Sequence, residues 1–229
     1  RLHAIAPGAR TEDATWSAAQ LVARALDRYR NPAPPGLPTG WRDLDALIPG
    51  GLRPGWLVVV GARPKVGKSF LGVSLPLHAA RTGHPAAICS LEMPEAELTD
   101  RLISQVAGVE LDSLRACRLN EHEWQNVGAA ASKIQGLPLT ILDNKRQTLN
   151  SIRSRVRDLK RGRGCELLVV DYLTLITPAD ARAPRQEQVA TISRGLKLLA
   201  NELHIPIVAL AQINRGPEAR ADRRPMPSD

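Results

Sequence analysis

The sequence is short of aromatic residues, of cysteine and of long apolar runs, and each shortage excludes a class of protein. Phe, Trp and Tyr make up 3% of the 229 residues. A core must therefore be built from Leu, Val, Ile and Ala, the side chains of a parallel sheet covered by helices on both faces. The three cysteines, Cys89, Cys117 and Cys165, lie far apart with no Cys-x-x-Cys pair. That argues against a disulfide framework or a zinc site and fits a reducing compartment. No run approaches the roughly 18 apolar residues that span a bilayer, and no charged-then-apolar leader opens the chain. A cytoplasmic protein with no membrane partner is the expectation. The start at Arg1 and the polar end read as a piece of something larger.

What is present points to an anionic partner and a layered α/β fold. The formal net charge is +8, which favours nucleic acid over an acidic protein or a membrane surface. After a weakly patterned stretch over 1–14, Ser17 and Gln20 have capping-box spacing, and Leu21, Val22, Ala25, Leu26 and Tyr29 fall on one helical stripe. Four prolines and a glycine between Asn31 and Pro38 end that helix. Its apolar stripe must either fold back onto its own domain or dock on a neighbouring subunit. The chain thus divides into a linker with an amphipathic helix and a Pro-rich tether, 1–38, and a larger domain, 39–229.

Short apolar strands and helices then alternate. Strands are expected at Leu57–Val60, Ala86–Leu91, Leu139–Leu142, Leu167–Val170 and Ile207–Ala211. Helices are expected from Lys68, through Leu98 and Val106 to Gly108, from the Asn120–Glu123 capping box towards Ile134, along Leu149–Leu159, and over Gln188–Leu203. This alternation gives a mostly parallel central sheet with right-handed crossovers. The Ala- and Pro-rich segment Pro178–Pro184 is read as a mobile loop.

The strongest chemical signal is Ala62-Arg63-Pro64-Lys65-Val66-Gly67-Lys68-Ser69, followed by Phe70, between an apolar strand and a helix. A tight loop of this kind turns backbone N–H groups towards a β-phosphate, and the helix adds its positive end. Lys68 would reach the β- and γ-phosphates and the Ser69 hydroxyl would hold Mg²⁺, so ATP with Mg²⁺ is the expected ligand. Gly67 stands where a Cβ would collide with phosphate or strain the loop. Lys65 either adds a phosphate contact or points to solvent.

Asp171 ends the apolar run Leu167–Val170 and suits a hydrated Mg²⁺ better than an idle strand end. Glu92 closes the second strand and is placed either to polarise an attacking water or to help start the next helix. Gln212 ends the fifth strand, as a γ-phosphate sensor or as a loop-bonding amide. His84 and His204 have no ligand-like spacing and are read as surface or packing residues. Arg153, Arg155, Arg157, Lys160, Arg161 and Arg163 are read as the solvated face of one helix. Arg215, Arg220, Arg223 and Arg224, in the tail after Gln212, are better placed to meet a polyanion.

With these motifs in order, the chain resembles the C-terminal motor domain of the bacterial replicative DNA helicases, the DnaB-type family. Thr39-Gly40-Trp41-Arg42-Asp43-Leu44-Asp45 resembles its entry segment, and Ala62 is the family's usual first P-loop residue. Ser90-Leu91-Glu92-Met93 resembles the segment whose Glu is catalytic. Asp171-Tyr172-Leu173 resembles the Mg²⁺-binding strand end. Ala211-Gln212-Ile213-Asn214-Arg215-Gly216 with Arg224-Pro225-Met226 resembles the sensor strand and the loop beyond. The resemblance implies a RecA-like P-loop NTPase fold and a homo-oligomer, usually a hexameric ring, with ATP between subunits and single-stranded DNA in the channel. It makes primase and a helicase loader possible partners, and makes the helix from Ser17 to Tyr29 a linker helix that docks on the adjacent subunit. The chain stops where the family continues with a DNA-contacting loop and its arginine finger, so weak hydrolysis by this piece alone is expected. The alternatives are a recombinase- or clock-type ATPase of the same fold, and a protein that uses ATP only to switch assembly.

Overall fold

A computed structural model describes residues 15–32, 34–143, 147–178 and 180–213. The chain divides into two compact units, Arg1–Pro35 and Gly36–Asp229. The first contains α1 (Ala18–Arg30), opened by a complete capping box in which the Ser17 hydroxyl accepts from Gln20 N and the Gln20 side chain accepts from Ser17 N. Its stripe residues Leu21, Val22, Leu26 and Tyr29 are exposed. In the second unit the end of the Pro-rich tether is already structured. Leu37 and Leu52 exchange both backbone hydrogen bonds, at 2.9 and 2.7 Å.

Five strands make one parallel sheet in the order β1-β5-β4-β2-β3: β1 (Leu57–Ala62), β2 (Ala86–Ser90), β3 (Leu139–Asp143), β4 (Leu167–Asp171) and β5 (Ile207–Gln212). All five were expected, and the edges differ by a residue or two. β1 runs on to Ala62 because it pairs with β5 as far as Gln212.

Helices α3 (Lys68–Arg81), α4 (Glu95–Ala107), α6 (Glu121–Gln135), α7 (Leu149–Gly162) and α8 (Arg185–Leu203) connect them. The Asn120–Glu123 capping box that opens α6 is formed, and Gly108 closes α4 in the left-handed region, φ +68°. Two short helices, α2 (Arg42–Leu47) and α5 (Leu111–Arg115), were not foreseen. α2 is steadied by the Asp45 carboxylate, which accepts from Thr39 N at 2.7 Å. Burial pushes the Asp45 carboxyl up, but the hydrogen bonds from Thr39 and Gly40 outweigh it and hold the group below its ordinary value.

The central strands read as unbroken apolar runs because both faces are covered, yet their side chains still alternate. Ala87, Cys89, Leu168, Val170, Ile207 and Ala209 pack with α7 and α8. Their neighbours Leu167, Val169, Val208 and Leu210 pack with Leu75 and Ala79 of α3, and Ile88 with Val73 and Leu77. This parity decides which strand-end residues can meet the start of α3.

The basic face of α7 is not purely solvated, contrary to the sequence reading. Arg153 and Arg157 lie 3.7 and 2.5 Å from the Glu202 carboxylate, and Lys160 donates to the Leu203 carbonyl. The amphipathic pattern put these cations opposite the apolar stripe, but their long stems reach across to the C-terminal end of α8. His84, read as a surface or packing histidine, stands 2.7 Å from Glu166 Oε2.

Candidate functional site

The turn after β1 holds the phosphate-loop signature. Lys65 and Gly67 both have positive φ, +66° and +97°. A Cβ built on Gly67 meets no protein atom within 4 Å, so the backbone conformation is what calls for glycine there. Gly67 is the N-cap of α3, with no side-chain cap and no acidic residue in the first turn. By contrast α1, α6 and α7 each close their first turn with a capping box, that of α7 formed by Thr148 and Ser151. The first amide of α3 to find an i−4 carbonyl is Leu71, bonded to Gly67 O at 3.0 Å. Among the described residues the amides of Lys68, Ser69 and Phe70 meet no acceptor, at the positive end of a helix, an arrangement that suits an anion.

The side chain of Lys68 turns inward. Its Nζ lies 3.0 Å from Glu92 Oε2, 3.0 Å from Asp171 Oδ1 and 3.8 Å from the centre of the Tyr172 ring. β4 side chains alternate, so Asp171 falls on the α3 face with Leu167 and Val169. Gly72 on α3 lies beside it, but the residue that needs the missing Cβ is Leu210 of β5: a Cβ on Gly72 would stand 2.6 Å from Leu210 Cδ1 and in ordinary contact, 3.8 Å, with Asp171 Oδ2. Glu92 lies just past the end of β2, in a bend fixed by Leu91 N donating to Asp171 O at 2.8 Å and by Ser90 Oγ donating to Met93 O at 2.6 Å. Of its two sequence readings, helix initiation is not used, because α4 begins three residues later behind Pro94 with Glu95 and Glu97 in its first turn. Gln212 is paired in register with Ala62, and Ile213 N donates to Ala62 O at 3.1 Å, tying the end of β5 to the start of the loop.

The electrostatics favour a cation beside Asp171. The residue is buried, and neither carboxylate oxygen accepts a hydrogen bond of normal geometry among the described residues; the nearest donor group is the Lys68 ammonium. A buried carboxylate so poorly supplied is costly unless a cation serves it. Among the described residues no cluster of three His, Cys, Asp or Glu side chains could hold a metal by itself.

The structure thus brings Lys68, Glu92 and Asp171 into contact and places Gln212 on the strand beside Ala62. Ser69 lies in the first turn of α3, Val66 and Phe70 are exposed on either side of it, and Arg63 and Pro64 belong to the same turn. Lys65 is exposed. Tyr172, whose ring lies against the Lys68 ammonium, was missed as a site residue. Its sequence signal was its place directly after Asp171. Arg215, Arg220, Arg223 and Arg224 lie outside the described residues. Among the described residues no helix is long and apolar enough to cross a membrane.

Comparison with known proteins agrees with this geometry. Residues 36–229 match the family model described as the DnaB-like helicase C terminal domain. The chain is 40% identical over 216 residues to the replicative DNA helicase DnaB of Leifsonia xyli subsp. xyli, covering 92% of this chain and 47% of that protein. It is 37% identical over 195 residues to the replicative DNA helicase DnaB of Helicobacter pylori, covering 85% of this chain and 40% of that protein. The chain therefore spans under half the length of these two curated relatives. Two solved structures superpose with a TM-score of 0.85 each: the ATPase domain of G40P, 29% identical over 94% of this chain and 78% of that one, and a DnaB-like replicative helicase solved for its interactions with primase, 30% identical over 96% of this chain and 54% of that one. The fold is the RecA-like arrangement of these helicases, and the chain belongs to the DnaB-like helicase C-terminal domain family.

Proposed function

We propose that the chain is the ATP-driven motor part of a hexameric replicative helicase that translocates on single-stranded DNA and unwinds duplex. The observation that supports this most is the bridge made by Lys68 between Glu92 and Asp171 at the foot of an uncapped helix. It gathers a phosphate-neutralising cation, a half-exposed carboxylate and a buried carboxylate in one place, as hydrolysis of a phosphoanhydride requires.

In this reading the amides from Gly67 to Phe70 cradle the phosphates, and Lys68 leaves its carboxylate partners to neutralise the γ-phosphate. Ser69 and Asp171 would hold Mg²⁺, which supplies charge neutralisation across the β- and γ-phosphates. Glu92, released from Lys68 and 43% exposed, is free to take a proton from the attacking water. Gln212, at the end of the strand beside Ala62, senses the γ-phosphate and passes its state to the segment carrying Arg215, Arg220, Arg223 and Arg224, which meets DNA phosphates. The apolar stripe of α1 docks on the adjacent subunit of the ring. Primase and a loader are the partners this role calls for in the longer protein.

The test is steady-state ATP hydrolysis by the full-length parent with and without single-stranded DNA, alongside Lys68→Ala. Stimulation by DNA that disappears in the variant is expected. Turnover indifferent to DNA would leave the nucleotide site standing and remove the DNA motor.

A further inference from the structure

Lys68 has a third neighbour that the phosphate-site reading leaves without a task. Its Nζ lies 3.8 Å from the centre of the Tyr172 ring, as well as 3.0 Å from Glu92 Oε2 and 3.0 Å from Asp171 Oδ1. A cation within about 6 Å of a ring centroid is drawn to the negative face of the π-system. The attraction grows where water is kept away, and the Lys68 side chain is only 10% exposed.

Strand alternation would not put the ring there. Asp171 already faces α3, so its successor in an extended strand points to the other side of the sheet. Tyr172 instead packs against the cluster that includes Leu75 of α3 and Val169 of β4. The backbone fixes it in place: the Tyr172 carbonyl accepts from Leu175 N at 3.1 Å, closing the short turn Leu173–Leu175. Two consecutive residues, one charged and one aromatic, thus converge on a single ammonium.

The three partners of Lys68 differ in what a nucleotide does to them. In the reading above Asp171 is given over to Mg²⁺ and Glu92 to the attacking water, so both carboxylates let the ammonium go. A lysine stem without a partner has many rotamers, and fixing it costs side-chain entropy. The ring carries no net charge. It does not compete with phosphate for the ammonium, and it is not a ligand for a hard cation. Of the three partners it is the one able to stay in contact while the ammonium turns from carboxylate to phosphate.

Resting on the phosphate-site reading above, we infer that Tyr172 is a positioning residue for Lys68. Its ring face holds the ammonium ready for the terminal phosphate, and so sets how strongly the site prefers a nucleoside triphosphate to a diphosphate.

The experiment is calorimetric titration of the protein with the β,γ-imido analogue of ATP and with ADP, each with Mg²⁺. The variants are Tyr172→Phe, then difluorinated and trifluorinated phenylalanine at the same position, and Tyr172→Leu. Fluorine withdraws electron density from the ring face and scarcely alters its size, so a residue that served packing alone would not respond to the series. Tyr172→Phe should keep the ratio of triphosphate to diphosphate affinity. The ratio should then fall with each fluorination, by about ten-fold in all, the order of one desolvated cation–π contact. Tyr172→Leu, an apolar body without a π face, should match the last member. A ratio that stays constant along the fluorinated series, or a Tyr172→Phe variant as impaired as Tyr172→Leu, would overturn the inference. Failure of the phosphate-site reading is distinct: Lys68→Ala then binds the ATP analogue as well as the parent protein does. Circular dichroism of each variant verifies the fold.

Discussion

Lys68→Met should unfold the nucleotide-free protein far more easily than the loss of a surface lysine would. The Asp171 side chain is 3% exposed and that of Lys68 10%. At 3.0 Å and an effective dielectric near 20, their gross attraction is about 5 kcal/mol. Much of that offsets desolvation, so the pair adds little net stability. Removing one partner is different, because it strands a buried carboxylate, at a cost of roughly 3–5 kcal/mol. The Glu92 side chain, 43% exposed, adds less than about 1 kcal/mol. The expected loss is about 3 kcal/mol, the low end, since Lys68 itself touches solvent. With an m-value of about 3 kcal/mol/M, the urea midpoint falls by about 1 M. Asp171→Asn in the same chain should recover most of it, because neither charge then remains. The assay is urea unfolding at 25 °C in chelator without nucleotide, followed by circular dichroism. An unchanged midpoint in Lys68→Met, or a double variant that falls by the sum of the two single ones, would refute the reasoning.

Three further outcomes rest on the same packing. Burial pushes the Cys89 and Cys165 thiols up to about 12 and about 11, while Cys117 is exposed. At pH 8 a thiol reagent should therefore label one cysteine quickly in the folded protein and three in denaturant; fast labelling of two would contradict the packing of β2 and β4. Hydrogen bonds from Arg101 and Arg115 hold the Glu97 carboxyl below its usual range and tie α4 to α5. A depressed carboxylate contributes stability that is present above its unfolded value and lost as pH falls through the folded one. Glu97→Gln should accordingly flatten the decline in unfolding midpoint below about pH 4.5, and an unaltered slope would show that the arginines do not act through Glu97. A Cβ at Gly195 would collide with the Leu149 side chain. Gly195→Ala should cost about 1–3 kcal/mol by overpacking α7 against α8, with thermal unfolding as the readout and Leu149→Ala in the same chain relieving part of the loss.

Features that depend on neighbours a few residues away were legible in the sequence. The boxes at Ser17–Gln20 and Asn120–Glu123 satisfy amides three positions along, so spacing alone declares them. The buried strands show as apolar runs because both sheet faces are covered, and the glycine of the phosphate loop shows because few other residues hold a φ of +97°. The short helices α2 and α5 were not legible, since one or two turns carry no period and owe their existence to contacts such as Thr39 with Asp45. Glu92 had two local roles of similar merit. That it lies 3.0 Å from Lys68, 24 residues away in sequence, is a fact only the folded chain supplies.

Sequence by itself determined the chemistry on offer: a phosphate loop, an acidic strand end, an alternating α/β chain and a net positive charge. Tertiary structure decided which of those groups act together. Strand parity placed Asp171 on the α3 face, Gly72 let α3 approach Leu210 of β5, and Arg153 and Arg157 of α7 were drawn across to Glu202. It also brought the Tyr172 ring to the Lys68 ammonium. The physical reason is one of range. Caps, turns and periodicity are set over a few residues along the chain. The charge on a buried carboxylate, and the cation beside an aromatic ring, depend on which distant segments the sheet order brings within a few ångströms.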